Sequence, residues 1–222
     1  MELTFEQARV LGSLIEKQMT TPDYYPLTVN ALVAACNQKN NREPVTAFDE
    51  TDIERLLGEL NDLDLARFTR QSGGRTLKYL HRAPDTLGVD DEQLAILAIM
   101  MLRGPQTIAE LKSRTERYVD FRSVEAVQAR VDDLMTRDEP LVVQVPRVTG
   151  QREDRFMTVL VPAHPVAAAE HTVFGAAPPA ATTSEATEPS TSDLESRVAD
   201  LERTVEFLLA ELGLERQMTD DG

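Results

Sequence analysis

Side chains that could act as acids, bases, nucleophiles or metal ligands are scarce in this chain. Two of its three histidines, His164 and His171, fall in a stretch of mostly small residues, and His81 stands at the end of a predicted strand. The one cysteine, Cys36, ends a short predicted helix with no basic neighbour before Lys39, which favours a buried thiol over a nucleophile. The sequence contains neither a Cys/His cluster with metal-ligand spacing nor a glycine-rich phosphate loop. We therefore predict no catalytic residue, no metal ion and no cofactor, and interpret the chain as a non-enzyme.

A polar loop in the first half of the chain is a candidate for binding. It is longer than its counterpart in the second half, and ordering it adds nothing to a hydrophobic core. A binding role is the better interpretation of such a loop. The candidate binding residues are Asn37, Gln38, Lys39, Asn40, Asn41 and Arg42.

Basic residues gather between Leu65 and Ala83, a stretch that contains no acidic residue. Such side chains could contact a nucleic acid, chiefly through its phosphates. An equally good interpretation is a solvent-exposed hairpin whose arginines pair with the acidic helix before it. The candidate nucleic-acid contacts are Arg67, Arg70, Arg75, Lys78 and Arg82.

The helix predicted before this hairpin is strongly acidic. Between Asp49 and Asp64 the chain has seven acidic residues and a single base, Arg55. The corresponding helix of the second half has four acids against two bases between residues 123 and 138. In helix-turn-helix proteins the recognition helix lies in the DNA major groove, where acidic side chains are repelled by phosphates. A protein is therefore the preferred partner, and DNA is the alternative.

Residue spacing predicts three helices followed by a two-stranded hairpin, and then the same order again. Capping residues mark the helix starts at Thr4, Thr28 and Asp49, and again at Asp90, Thr107 and Ser123. The predicted hairpins are Leu65–Arg70 with Thr76–Arg82, and Leu141–Val145 with Arg155–Val161. This is the winged-helix order, repeated in its elements and not in residue identity. We predict one winged-helix domain over residues 1–83 and a second over residues 84–163.

The longest apolar run, Leu94–Leu102, has nine residues, about half of what spans a bilayer. We interpret it as a buried central helix between the two domains. The single cysteine cannot form an intrachain disulfide, and the N-terminus lacks the basic and apolar parts of a signal peptide. We therefore expect a cytoplasmic protein that does not enter a membrane.

The tail carries most of the chain's formal net charge of −15, because residues 164–222 contain twelve acidic residues and three basic ones. Residues 164–192 are mostly small and polar and are predicted to form a disordered linker. Residues 193–214 show a heptad pattern that predicts a short parallel coiled coil and a homodimer. The alternative is a lone helix folded back on the body. The predicted dimerisation residues are Leu194, Val198, Leu201, Val205, Leu208 and Leu212.

Four ordered blocks of the sequence resemble one bacterial family. They are residues 10–45, 73–82, 102–117 and 139–156, and over roughly residues 4–161 the chain is similar to the YceH family. The resemblance implies a duplicated winged-helix fold, bacterial origin and a cytosolic location. It implies no particular activity.

We therefore predict an α+β protein, mainly α, with two tandem winged-helix domains, a linker and a C-terminal coiled-coil helix. The preferred function is a protein-interaction or regulatory adaptor with an unknown protein partner. The alternative is a DNA-binding transcriptional regulator that contacts phosphates through the first wing and residues 37–42.

Overall fold

A computed structural model describes residues 1–70, 76–146 and 153–165 of the chain. Within these ranges the protein is α+β and mainly helical, with seven α-helices, one 3-10 helix and two small antiparallel sheets. This arrangement is consistent with a winged-helix-like fold. The predicted coiled coil, Arg75 and His171 lie outside the described residues, as does the predicted linker from residue 166 onward. The first residue assigned to the linker, His164, is described and is buried, with 1% of its surface exposed.

The first half forms three α-helices and a hairpin. Each helix begins where a side chain accepts a hydrogen bond from a free backbone amide: Thr4 from Gln7, Thr28 from Ala31, and Asp49 from Asp52. All three predicted helix starts are confirmed. The elements are α1 (Phe5–Thr20), the 3-10 turn Pro22–Tyr24, α2 (Val29–Cys36), α3 (Glu50–Asp62), β1 (Ala66–Arg70) and β2 (Leu77–His81).

The second half repeats this order after a short helix, α4 (Ala83–Leu87), that residue spacing did not predict. The predicted caps at Asp90, Thr107 and Ser123 are confirmed. The last strand is shorter than predicted, because the Val161 amide donates to the Thr158 carbonyl (3.5 Å) and closes a turn. The elements are α5 (Asp91–Arg103), α6 (Ile108–Thr115), α7 (Val124–Met135), β3 (Val142–Val145) and β4 (Arg155–Thr158).

Each half adds one bridging residue to its hairpin at the same place. Leu27 pairs antiparallel with Tyr79 of β2, and Gln106 pairs with Phe156 of β4. In both halves a proline precedes the bridging residue and the capping threonine follows it, as Pro-Leu-Thr at 26–28 and Pro-Gln-Thr at 105–107. At this point the halves share residue identity, contrary to the expectation that they share only the order of their elements.

Helix α5 lies at the centre of the body. Its residues Leu94–Leu102 are all buried, because α1 packs on it from the first half and α6, α7 and β4 pack on it from the second. The prediction of a buried central helix is confirmed. One buried apolar cluster includes residues from Leu3 to Val161, and the Leu3 amide donates to the Leu160 carbonyl (2.7 Å). Across the described residues, no helix has both the length and the hydropathy needed to cross a membrane.

Helices α1 and α5 approach each other closely at Gly12. A Cβ atom at this position would lie 3.0 Å from Cγ of Leu102 and 3.3 Å from Cβ of Met101. Because Gly12→Val adds three carbons to a filled space, we expect it to lower the free energy of unfolding by about 1–3 kcal/mol. Urea denaturation followed by circular dichroism measures the change.

Gly58 in α3 provides the matched control, since a Cβ atom there would meet nothing within 4 Å. Valine has the better helix propensity, so Gly58→Val should raise the free energy of unfolding by about 0.4 kcal/mol. A loss of stability of the same size at both positions would mean that valine acts through the helix backbone and not through the α1–α5 contact.

Candidate functional site

The polar loop between α2 and α3 folds onto the end of α5, at the junction of the two halves. The Glu43 amide donates to the Leu102 carbonyl (2.9 Å), and Arg103 forms an ion pair with Glu43 (2.7 Å). Arg103 also donates a hydrogen bond to the side chain of Asn41. The loop therefore ties the first half to the second.

Arg42 of this loop is buried, with 2% of its surface exposed. Its guanidinium donates to the backbone carbonyls of Ala35 (3.0 Å) and Asn41 (2.8 Å), and it forms an ion pair with Glu16 of α1. The other oxygen of the Glu16 carboxylate accepts from the hydroxyl of Tyr118 at 3.1 Å. One buried carboxylate thus connects α1, the loop and the segment after α6.

Burial and neighbouring charge set the ionisation of this network. Burial raises the pKa of Glu16, but the hydrogen bond and the charge of Arg42 outweigh it, so the pKa lies below its usual value. Burial, followed by the charge of Glu16, raises the pKa of Tyr118. At neutral pH Glu16 is therefore ionised, and Tyr118 is a neutral donor.

Arg9 is a second buried arginine at the junction. It donates to the Pro44 carbonyl (2.8 Å), and its guanidinium carbon lies 4.9 Å from the ring centre of Phe5. Burial, and then the charge of Arg42, lower the pKa of Arg9 to about 10. Arg9 and Arg42 thus bring two buried positive charges to a place where Glu16 supplies one buried negative charge.

The six candidate loop residues fall into two sets. Asn37 fixes the start of the loop, because its side chain donates to the Phe48 carbonyl (2.7 Å) and accepts from the Phe48 amide (2.9 Å). Arg42 fixes the end of the loop through its buried ion pair. Between them, Lys39, Asn40 and Asn41 are exposed and Gln38 is half-buried. Residues 38–41 are therefore the part of the loop that a partner can reach.

A cavity of about 170 Å³ opens beside this network. Glu16, Asn41 and Tyr118 line it together with Arg103 and two arginines that follow closely in the sequence, Arg114 and Arg117. These three arginines were not among the candidate site residues predicted from the sequence. The one available signal was the spacing of Arg114 and Arg117, three residues apart at the end of a predicted helix, which brings the side chains close together.

The first hairpin, formed by β1 and β2 and predicted as the first wing, leaves most of its basic side chains open to solvent. Arg67 and Arg70 on β1 are exposed and Lys78 on β2 is half-buried. None of the three makes an ion pair or a side-chain hydrogen bond with the described residues. Arg82 differs, because it forms an ion pair with Asp64, just beyond α3. Among the candidate nucleic-acid contacts that the structure describes, Arg82 alone pairs with an acidic residue from the segment before the hairpin.

His81 and Cys36 are both buried. The Nε2 of His81 hydrogen-bonds to Gln18, its Nδ1 has no partner among the described residues, and burial lowers its pKa to about 4. Burial raises the pKa of the Cys36 thiol to about 11, and the prediction that this thiol is buried is confirmed. No group of His, Cys, Asp or Glu side chains within the described ranges could hold a metal ion.

A second concave surface lies where α1 begins and α3 ends. This acidic groove has a volume of about 850 Å³ and an apolar floor that includes Leu3, Phe5 and Leu63. Among the described residues that line it, none is basic. Its acidic residues are Glu2, Glu6, Glu59 and Asp62.

Helix α3 extends the negative surface beyond the acidic groove. Glu50 and Glu54 are exposed, and Arg55, the one base of the helix, is paired with Glu59 at 2.6 Å. On α7, Glu125, Asp132 and Asp133 are likewise exposed. Both third helices therefore present negative charge to solvent, as their sequences predict.

Comparison with known proteins identifies the family of the chain. A family model described as a protein of unknown function, DUF480, matches residues 3–151. A UPF0502 protein of Shewanella sp. (strain ANA-3) is 39% identical over 217 residues, which are 96% of this chain and 100% of the relative. The UPF0502 protein of Pelobacter propionicus is 42% identical over 221 residues, 100% of this chain and 96% of the relative. That of Cellvibrio japonicus is 44% identical over 158 residues, 71% of this chain and 72% of the relative.

These matches confirm the expectation of a bacterial family without an assigned activity. The YceH name and the duplicated winged-helix fold stay predictions from resemblance. The family model covers more than half of the chain, and two relatives align over nearly all of it. The chain therefore belongs to the DUF480 family, whose relatives share the name UPF0502.

Proposed function

We propose that this chain is a protein-interaction adaptor without enzymatic activity, built from two tandem winged-helix domains. The observation that supports it most is the acidic groove, an apolar surface bordered by four acids and, among the described residues, by no base. Solvent-accessible apolar surface with a charged border is typical of protein-binding sites. The partner that fits it is a protein segment with apolar side chains flanked by lysine or arginine.

The tail of the chain itself does not have this chemistry. Residues 166–222 contain twelve acidic residues and three basic ones, so like charge disfavours docking of this segment in the acidic groove. A basic segment of another protein is attracted instead, and the negative faces of α3 and α7 would add to the attraction.

Capture from bacterial cytosol, with the tagged full chain as bait and mass spectrometry as readout, tests the proposal. The variant Glu2→Lys, Glu6→Lys, Asp62→Lys reverses the charge of the acidic groove and leaves the Arg55–Glu59 ion pair in place. We expect it to recover at least about tenfold less of the partner than the unmodified chain, because one close charge pair is worth that much in affinity.

The matched control is Asp120→Lys, Asp138→Lys, Glu139→Lys, which makes the same change of net charge at exposed sites outside the groove. It should recover the partner as the unmodified chain does. Equal recovery by the two triple variants would show that overall charge, and not the acidic groove, governs capture.

We further propose that the chain is a cytoplasmic homodimer through the heptad residues of positions 193–214. Support comes from the sequence, in which leucine alternates with mostly β-branched residues at intervals of four and three. A dimer would carry two acidic grooves and bind a repeated partner with higher avidity.

A DNA-binding regulator is the second candidate function, and one observation favours it. Arg67 and Arg70 are exposed and make no ion pair within the described residues, and neighbouring Phe68 is 57% exposed. A wing with free guanidiniums could contact phosphates directly. The exposed residues 38–41 of the loop could add further polar contacts.

Fluorescence anisotropy with a short DNA duplex distinguishes the two functions. A DNA-binding regulator should bind with a dissociation constant below about 1 µM at physiological salt and weaken steeply as salt rises. Reversal of Arg67, Arg70, Arg75 and Lys78 to glutamate should abolish that binding, whereas reversal of four bases elsewhere, Arg55, Lys112, Arg122 and Arg130, should weaken it far less. The adaptor proposal predicts no such affinity for DNA. It would be overturned by sub-micromolar DNA binding that is lost in the variant of Arg67, Arg70, Arg75 and Lys78 and kept in the control variant.

A further inference from the structure

The cavity of about 170 Å³ at the junction takes its wall from both halves of the body. Glu16 and Asn41 come from the first half, and Arg103, Arg114 and Arg117 come from the second. Because the loop is held against α5 at this point, a molecule in the cavity would contact both halves at once.

The charges around this cavity do not balance. Burial lowers the pKa of Arg114. The positive charge of Arg103, which lies nearby, lowers this pKa further. Six arginines line the cavity or belong to the hydrogen bonds and ion pairs around it, and three glutamates pair with these arginines. This local excess of positive charge occurs in a chain whose formal net charge is −15. The arginines are Arg9, Arg42, Arg103, Arg114, Arg117 and Arg155, and the glutamates are Glu16, Glu43 and Glu110.

The three arginines of the cavity wall do not use all of their N–H groups in hydrogen bonds with the described residues. Arg103 uses one nitrogen for Glu43 (2.7 Å) and another for Asn41. Arg114 donates to Gln106 and, at 3.4 Å, to Glu110. Arg117 is exposed and makes no ion pair or side-chain hydrogen bond with any described residue. A guanidinium has five N–H groups, so each of these arginines can donate to a further acceptor.

We propose that this cavity binds a phosphate group, either as inorganic phosphate or as a small phosphate monoester. Guanidinium groups match phosphate oxygens with paired, charge-assisted hydrogen bonds. A cavity of about 170 Å³ has the liquid volume of roughly six water molecules, which is enough for the five heavy atoms of phosphate. A dianion would also offset most of the excess positive charge, which a single carboxylate would not.

Such a ligand would do more than fill the cavity. Asn41 belongs to the exposed part of the loop, and Arg103 already connects it to α5. A phosphate held by Arg103, Arg114 and Arg117 would fix residues 38–41 against the second half. The site goes beyond the adaptor function, because it would make the shape of the loop depend on a small molecule.

Isothermal titration of the full chain with inorganic phosphate, at constant ionic strength, tests the proposal. We expect saturable binding with a dissociation constant of about 1 mM or tighter. Arg117→Ala should weaken it at least about tenfold through the lost charged hydrogen bonds, and Arg117→Lys should restore part of the affinity. Since Arg117 makes no contact of this kind with the described residues, the variant should fold normally, as circular dichroism verifies.

Arg122→Ala is the matched control, because Arg122 is also exposed and free of ion pairs within the described structure but does not line the cavity. It should bind phosphate as the unmodified chain does. Titration with phenyl phosphate separates the sources: tighter binding than inorganic phosphate indicates a monoester, and weaker binding indicates the free ion. The proposal fails if neither compound binds saturably, or if Arg117→Ala and Arg122→Ala have the same effect.

Discussion

Replacing Glu16 with alanine is expected to lower the free energy of unfolding by about 3–5 kcal/mol. The substitution leaves the guanidinium of Arg42 buried without its carboxylate, since Arg42 has no exposed side-chain surface in its pair with Glu16. It also removes the acceptor of the Tyr118 hydroxyl (3.1 Å). Chemical denaturation at neutral pH, where Glu16 is ionised, measures the loss.

Two further variants test whether the burial of the Glu16–Arg42 ion pair explains the large loss of stability expected for Glu16→Ala. Arg55→Ala removes an exposed ion pair of α3 and should cost less than about 1 kcal/mol. The double variant Glu16→Met, Arg42→Met replaces both buried charges with apolar side chains and should recover part of the stability that Glu16→Ala loses. A Glu16→Ala variant no less stable than Arg55→Ala would refute the idea that this carboxylate holds the junction together.

Acidification from pH 7 to pH 4 is expected to destabilise the protein through two buried histidines. Burial lowers the pKa of His81 to about 4, and burial followed by the charge of Arg9 lowers that of His164 to about 4. In the unfolded chain both side chains titrate near pH 6.5. Between these values the unfolded chain binds more protons, so the free energy of unfolding falls as pH falls. The loss at pH 4 is about 3 kcal/mol for each histidine.

The variant His81→Gln isolates one of these contributions. Because this variant lacks the imidazole, its free energy of unfolding should fall by about 3 kcal/mol less than that of the unmodified chain between pH 7 and pH 4. His171→Gln, in the predicted linker, should leave the pH profile unchanged. The measurement is the free energy of unfolding from urea titrations at several pH values. Parallel profiles for His81→Gln and the unmodified chain would count against a neutral, buried His81.

The helix starts could be predicted from sequence because their signals are local. Thr4 and Gln7, or Asp90 and Gln93, satisfy each other's backbone amides across three residues, so the pattern can be read in a short window. The missed helix α4 has only five residues, too few to show an apolar period. Its signal was Pro84 in the first turn with Gly88 in the left-handed conformation after the end.

The site was predictable only in part, because it is made by contacts between distant residues. The loop was singled out for its composition, yet Arg42 pairs with Glu16, 26 positions away, and Glu16 bonds to Tyr118, 102 positions away. An arginine in a polar loop reads as an exposed contact residue unless its buried carboxylate is known. The spacing of Arg114 and Arg117 indicated two neighbouring arginines but not a cavity, since the cavity they line exists only after the two halves have packed.

The backbone hydrogen bond from Leu3 to Leu160 sets an order of assembly during synthesis. Leu3 is synthesised 157 residues before its acceptor, Leu160. This hydrogen bond therefore cannot form until nearly all of the described body has been translated. A nascent chain stalled before residue 160 would leave Leu3 without that bond, and a protease or chaperone could reach a segment that the finished protein keeps closed.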